Sequence, residues 1–168
     1  MRWMMEKTNS YTYFAIQSNG ENDERLIAKA EGMFNPDDMT CLLEIQPFSS
    51  WASDDQRKDG SEYLFSQWSA EKSDIYRLDV MAQCKDTIKN LKNKIPQLKQ
   101  IKEQYDVKFV LMIVPSIFNG EQPWIEFDEE LIEFCYLTGT TIGVDMYVYP
   151  LDNTEWENEE IFAGNNEN

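Results

Sequence analysis

Five carboxylates crowd one short stretch of the chain: Glu126, Asp128, Glu129, Glu130 and Glu133. Grouped acids can hold a divalent cation or act as an acid/base pair. They can equally stabilise the positive end of a helix. Their place just ahead of an apolar helical pattern fits that second use, and no Asp-x-Asp-x-Asp loop or Glu-x-x-His motif accompanies them. Asp145 stands apart, inside an apolar run in which it shares a face with Gly143, Tyr147 and Tyr149. On a buried face its carboxylate would need a partner, and on an open one Asp145, Tyr147 and Tyr149 would line a groove. The chain has no histidine. That excludes a Ser-His-Asp triad, an imidazole proton shuttle and a His-containing zinc site. Nothing marks one serine as a nucleophile. The seven glycines form neither a phosphate-cradling loop nor a dinucleotide fingerprint. The residues therefore assign no catalytic group, no metal ligand and no cofactor.

Binding chemistry is better represented. Tryptophan is enriched at binding hot spots. Trp51 and Trp124 lie in polar loops, where an external contact and a packed role are equally open, whereas Trp68 alternates with core positions and reads as packed. Trp156 lies in an acidic C-terminal segment and reads as a fastening for it. Lys85, Lys89, Lys92 and Lys99 each follow an apolar position and form a basic stripe beside a core face. Lysine stems covering a core edge explain such a stripe. A sharper reading pairs it with the acids from Asp152 to Glu160.

The 168 residues carry 31 acids against 15 bases, a net charge of −16. Residues 1–50 sum to −4, residues 51–100 to +1 and residues 101–168 to −13. Such a chain is poorly suited to phosphate backbones, so no direct nucleic-acid partner is expected. Length predicts one domain with a real core. No apolar run is long enough to cross a bilayer, and the first residues do not resemble a secretory signal. Cys41, Cys84 and Cys135 are odd in number and widely spaced, which predicts three buried thiols in a reducing cytosol. The expected compartment is therefore cytoplasmic.

The elements that would position these groups follow from periodicity. Residues 1–10 read as a leader. A strand over 11–18 ends at Asn19-Gly20, and a short helical pattern runs over 21–33. Pro36 opens a helix carrying Met39, Leu42 and Leu43. Residues 48–62 read as a mobile loop and 63–69 as the second strand. Met81, Cys84, Ile88, Leu91, Ile95, Leu98 and Tyr105 mark a long amphipathic helix, N-capped by Asp79. Pro96 implies either a kink or two abutting helices. Residues 107–114 read as a strand buried on both faces. Asp128 caps the next helix, Gly139 closes it, and Thr141 to Tyr149 form the last strand. The strand-helix-strand connection favours parallel or once-removed pairing there. The expected fold is α+β: a single mixed sheet of four to five strands with helices mainly on one face. It spans 11–150 and is followed by an acidic tail over 151–168, whose last residues, from Gly164, read as disordered.

Asp37 to Pro47, Gln67-Trp68-Ser69 and the Thr141 to Val148 ending, with its Asp145-x-Tyr147-Val148, together resemble the bacterial domain-of-unknown-function family 4279 (DUF4279) over roughly residues 11–149. The resemblance implies a small cytoplasmic bacterial domain without an established enzyme activity. Small acidic proteins of this kind are often immunity or antitoxin-like partners of other proteins. The leading expectation is thus a non-enzymatic module that binds another protein, a basic one by charge, and no membrane. Trp51, Trp124, Asp145, Tyr147 and Tyr149 are its candidate contacts. The alternatives are an acidic DNA mimic and a small-molecule or metal-dependent enzyme built on the acids.

Overall fold

A computed structural model of the chain describes residues 7–19 and 33–149. Most of the leader, nearly all of the 21–33 helical pattern and the acidic tail with Trp156 lie outside them. β1 (Asn9–Ser18) occupies the middle of the sheet. Its antiparallel neighbours are β3 (Gln67–Ser73) and β4 (Val107–Ile117). β2 (Ser49–Trp51) lies outside β3. β5 (Thr140–Val144) and β6 (Tyr147–Val148) both run parallel to β4. The order is β2-β3-β1-β4-β5, with β6 continuing the β5 edge along β4. The fold is α+β with a single mixed sheet, and the last strand-helix-strand unit pairs in parallel.

Among the described residues four helices complete it: α1 (Pro36–Leu43), α2 (Val80–Ile88), α3 (Ile95–Gln104) and α4 (Glu129–Thr138). Each start has a local cause. Asn35 Oδ1 accepts from Asp37 N–H at 3.1 Å, Asp79 from Ala82 N–H at 2.9 Å, and Asp128 from Leu131 N–H at 3.0 Å. Gly139 ends α4 at φ 62°, a conformation a side chain disfavours. A 3₁₀ turn (Leu91–Lys94) separates α2 from α3, and Pro96 falls in the first turn of α3, where its missing N–H is harmless. The chain therefore uses two abutting helices.

Alternation along β1 divides its side chains between two faces. Ser10, Thr12, Phe14 and Ile16 point to one face and Tyr11, Tyr13, Ala15 and Gln17 to the other. On the first face, Phe14, Phe109 and Leu111 join Met39 of α1, Ile88 of α2, Leu98 of α3 and Phe134 of α4 in the core. Trp68 is fully buried there and donates its indole N–H to Thr40 Oγ1 at 3.0 Å. Two polar links run through this core. Ser10 Oγ donates to Gln83 Oε1 at 2.9 Å while Gln83 Nε2 donates back to the Ser10 carbonyl at 2.9 Å. The hydroxyls of Thr12 and Thr87 lie 2.7 Å apart.

Several expectations change. β1 begins at Asn9 instead of Tyr11, and the buried Thr8 exchanges hydrogen bonds with the Phe118 backbone. The second strand expected at 63–69 is β3, shifted to 67–73. Its Ser-Ala-Glu-Lys-Ser half has little hydrophobic signal, because its stability comes from the ladder with β1. Residues 48–62, expected to be a loop, include β2 and a small hairpin. In that hairpin Arg57 N–H donates to the Ser61 carbonyl at 2.7 Å, and Gly60 turns at φ 84°. The last strand is interrupted at Asp145-Met146. Cys41 is exposed, not buried, because Met39 and Leu43 turn inward and leave it on the outer side of α1. Burial, with a smaller contribution from Cys135, pushes the Cys84 thiol up to about 12; burial pushes Cys135 up to about 11.

These features predict two outcomes. Replacing Thr12 or Thr87 with valine leaves the other buried hydroxyl short of a partner. Each single variant should lose about 1–3 kcal/mol in denaturant unfolding. The double variant should lose less than the sum of the two. In the native state one thiol, Cys41, should react rapidly with Ellman's reagent, while Cys84 and Cys135 should react only after denaturant is added.

Candidate functional site

The second face of the sheet carries a band of aromatic side chains. Tyr11 and Tyr13 of β1 stack at 6.2 Å between ring centroids. Phe48, just ahead of β2, meets Tyr13 edge-on at 5.5 Å. Lys72 of β3 holds its Nζ 4.3 Å from the Tyr11 ring centroid and 5.8 Å from that of Phe48, which is cation–π geometry. On the far side of β4, Tyr147 donates its hydroxyl to Asp145 Oδ2 at 3.0 Å. Tyr149 stacks on Phe118 at 4.2 Å with the rings nearly parallel. Phe48, Tyr147 and Tyr149 remain 51%, 48% and 44% exposed. On the same face Val114, opposite Tyr11, is buried, as are Ala15 and Val110 on the far side of Tyr13.

Backbone geometry explains the arrangement. Parallel pairing of Ser116 with Tyr147 and of Met112 with Gly143 puts Gly143, Asp145 and Tyr147 on the same face as Tyr11 and Tyr13. Gly143 is required by close approach. A Cβ there would meet Met112 Sδ and Val110 Cγ1, each at 3.2 Å. The break after Val144 is held by Asp145 N–H donating to the Ile113 carbonyl at 2.9 Å. Asp145 is exposed, so its carboxylate escapes the desolvation that a closed face would impose.

The electrostatics of the band are coupled. Burial first, then the negative fields of Tyr11, Asp145 and Tyr147, hold the Tyr13 phenol above its ordinary pKa. The hydrogen bond to Asp145 and that carboxylate's charge do the same for Tyr147. At neutral pH the Tyr147 phenol is therefore protonated and donates to Asp145.

The five candidate contacts separate. Asp145 and Tyr147 touch, and Tyr149 follows on the same edge. Trp51 shares their face by register but pairs with Gln67, which is opposite Gln17, six residues along β1 from Tyr11. There it stacks on Tyr63 at 4.7 Å, and its indole N–H is buried without an acceptor among the described residues. Trp124 lies apart from the band. It is 68% exposed, donates to Glu126 Oε2 at 2.9 Å, and borders a depression of about 450 Å³ with Tyr76, Arg77, Leu78 and Asp79. Reading by type missed Tyr11, Tyr13, Phe48 and Lys72. Period-two alternation already set the two tyrosines opposite Phe14 and Ile16, but Lys72 lay beyond the expected strand end.

The acids of 126–133 do other work. Asp128 caps α4 and bonds Lys85 at 2.7 Å, while Glu130 meets Lys85 at 3.1 Å and also pairs with Lys92. Half of the basic stripe is thus engaged by α4. Hydrogen bonds from Lys85 and from the Leu131 amide hold the Asp128 carboxyl low, and those from Lys92 and Lys85 do so for Glu130. Among the described residues no three His, Cys, Asp or Glu side chains converge as metal ligands. No helix among them is long and apolar enough to cross a membrane.

The fold and this face define a small α+β protein whose mixed sheet displays an aromatic band flanked by one lysine and one aspartate. Residues 8–149 match the family described as Domain of unknown function (DUF4279), and the chain belongs to it. No curated protein matches the chain, and no solved structure does.

The coupling predicts a spectroscopic result. In Asp145→Asn the phenol of Tyr147 loses its charged acceptor, so its ionisation should move down toward the ordinary value. Tyr13 should follow by a smaller amount. Ultraviolet titration of phenolate between neutral and strongly alkaline pH checks both, and an unchanged curve would refute the coupling.

Proposed function

We propose that this chain is a non-enzymatic, cytoplasmic bacterial protein-interaction module that acts as an immunity- or antitoxin-like inhibitor of a partner protein. The observation that carries the reading is the aromatic sheet face. Tyr11, Tyr13, Phe48, Tyr147 and Tyr149 offer large, stiff, amphipathic contact area around a buried floor. Tyrosine supplies such area at low entropic cost and is enriched where proteins meet. The net charge of −16 favours a basic partner and speeds its encounter in a salt-dependent way.

The two alternatives draw less support. A DNA mimic needs rows of free carboxylates, and Asp128 and Glu130 are spent on Lys85 and Lys92. An enzyme built on the acids needs convergent groups, and Asp145 meets a tyrosine instead.

Affinity capture with the full chain as bait should return one stoichiometric partner that elutes as salt rises. Phe48→Ala and Tyr147→Ala, both at half-exposed positions, should each weaken that capture about tenfold or more while leaving the melting temperature nearly unchanged. Recovering nothing specific at any ionic strength would count against an interaction role.

A further inference from the structure

The aromatic band is asymmetric in charge. At its β3 end the protein's own cation, Lys72, lies on the Tyr11 ring. At its β6 end the carboxylate of Asp145 lies beside Tyr147 and enters no ion pair among the described residues. β1 and the β5–β6 edge are two strand spacings apart, about 10 Å, so Lys72 does not serve both ends. One half of the band is therefore occupied by a cation and the other holds an anion among aromatic rings with no cation on it among the described residues.

We propose that the Asp145 end of this face receives the guanidinium of an arginine presented by a basic partner protein. The inference rests on the interaction reading above and names the group recognised there. Each carboxylate oxygen has two acceptor sites, so Tyr147 occupies one and leaves room for a two-pronged arginine. The flat guanidinium can at the same time lie against a tyrosine ring, as Lys72 already lies on Tyr11. Lysine, a point charge without the fork, satisfies only part of this geometry. Asp145 is the sole charged residue from Gly139 to Tyr149, so the site is one carboxylate in a neutral apolar edge and not part of an acidic field. Complementarity with a chain of net charge −16 brings a basic partner to it.

The test uses the isotope-labelled full chain and three small probes: acetyl-arginine methylamide, its lysine counterpart and its uncharged citrulline counterpart. In nuclear magnetic resonance titrations the arginine probe should shift the amides of residues 145–147 and of Tyr13 in a saturable, millimolar response. Lysine should give a weaker response and citrulline none, and Asp145→Asn should abolish the arginine response. Asn is nearly isosteric at this exposed position, so the spectrum elsewhere should be unchanged. Shifts spread over residues 126–133, an equal response in Asp145→Asn, or no response at residues 145–147 would each overturn the proposal. The captured partner separates this inference from the broader one. Equal capture by wild type and Asp145→Asn refutes the arginine site and leaves the interaction module standing. A site-selective arginine response with no partner captured does the reverse.

Discussion

β1 and β4 exchange backbone hydrogen bonds over ten residue pairs, from Asn9 with Ser116 to Ser18 with Val107. Neither strand could tolerate a one-residue slip, because alternation would carry Phe14 and Ile16 out of the core and Tyr11 and Tyr13 into it. The buried links from Ser10 to Gln83 and from Thr12 to Thr87 reinforce that register. A hydrogen bond inside an apolar core is costly to leave unmade, so α2 docks where both links close. The two faces of the molecule are thus two consequences of one register: a core on one side and an aromatic display on the other.

The same constraint reaches the edge of the sheet. β4 is eleven residues long, and β5 and β6 cover it in two pieces. At the gap Asp145 keeps a backbone hydrogen bond to β4 but leaves the regular ladder. Gly143 lets Met112 lie close to β5, and the next residues on that face are Asp145 and Tyr147. The carboxylate lies exposed at this interruption, on an edge that is exposed from Val144 to Tyr149. A continuous, well-covered strand would have made it a buried charge in need of a partner.

Charge is distributed by a related logic. Asp128, ahead of α4, and Glu130, in its first turn, join α4 to α2 and the turn after it through Lys85 and Lys92. Exposed ion pairs of this sort add little stability. They do engage two of the five acids in a stretch whose residue types alone could hold a metal. Asp145, by contrast, is exposed and hydrogen-bonded by Tyr147.

Local chemistry made much of this legible in the sequence. The caps Asp79 and Asp128, the Gly139 stop, the role of Pro96 and the apolar β4 run are short-range effects, and each is where residue type and spacing place it. So was the pairing of Asp145 with tyrosines on one face, because alternation is a property of the strand itself. β3 lies further along than expected because Ser69 to Ser73 carries little apolar signal of its own. Its ladder to β1 is a long-range interaction, and no local pattern reports it. The exposure of Asp145, the lysine on Tyr11 and the pairing of α4 acids with α2 all join residues distant in sequence. Those features exist only once the sheet and helices have assembled, and that is why only the tertiary structure decided them.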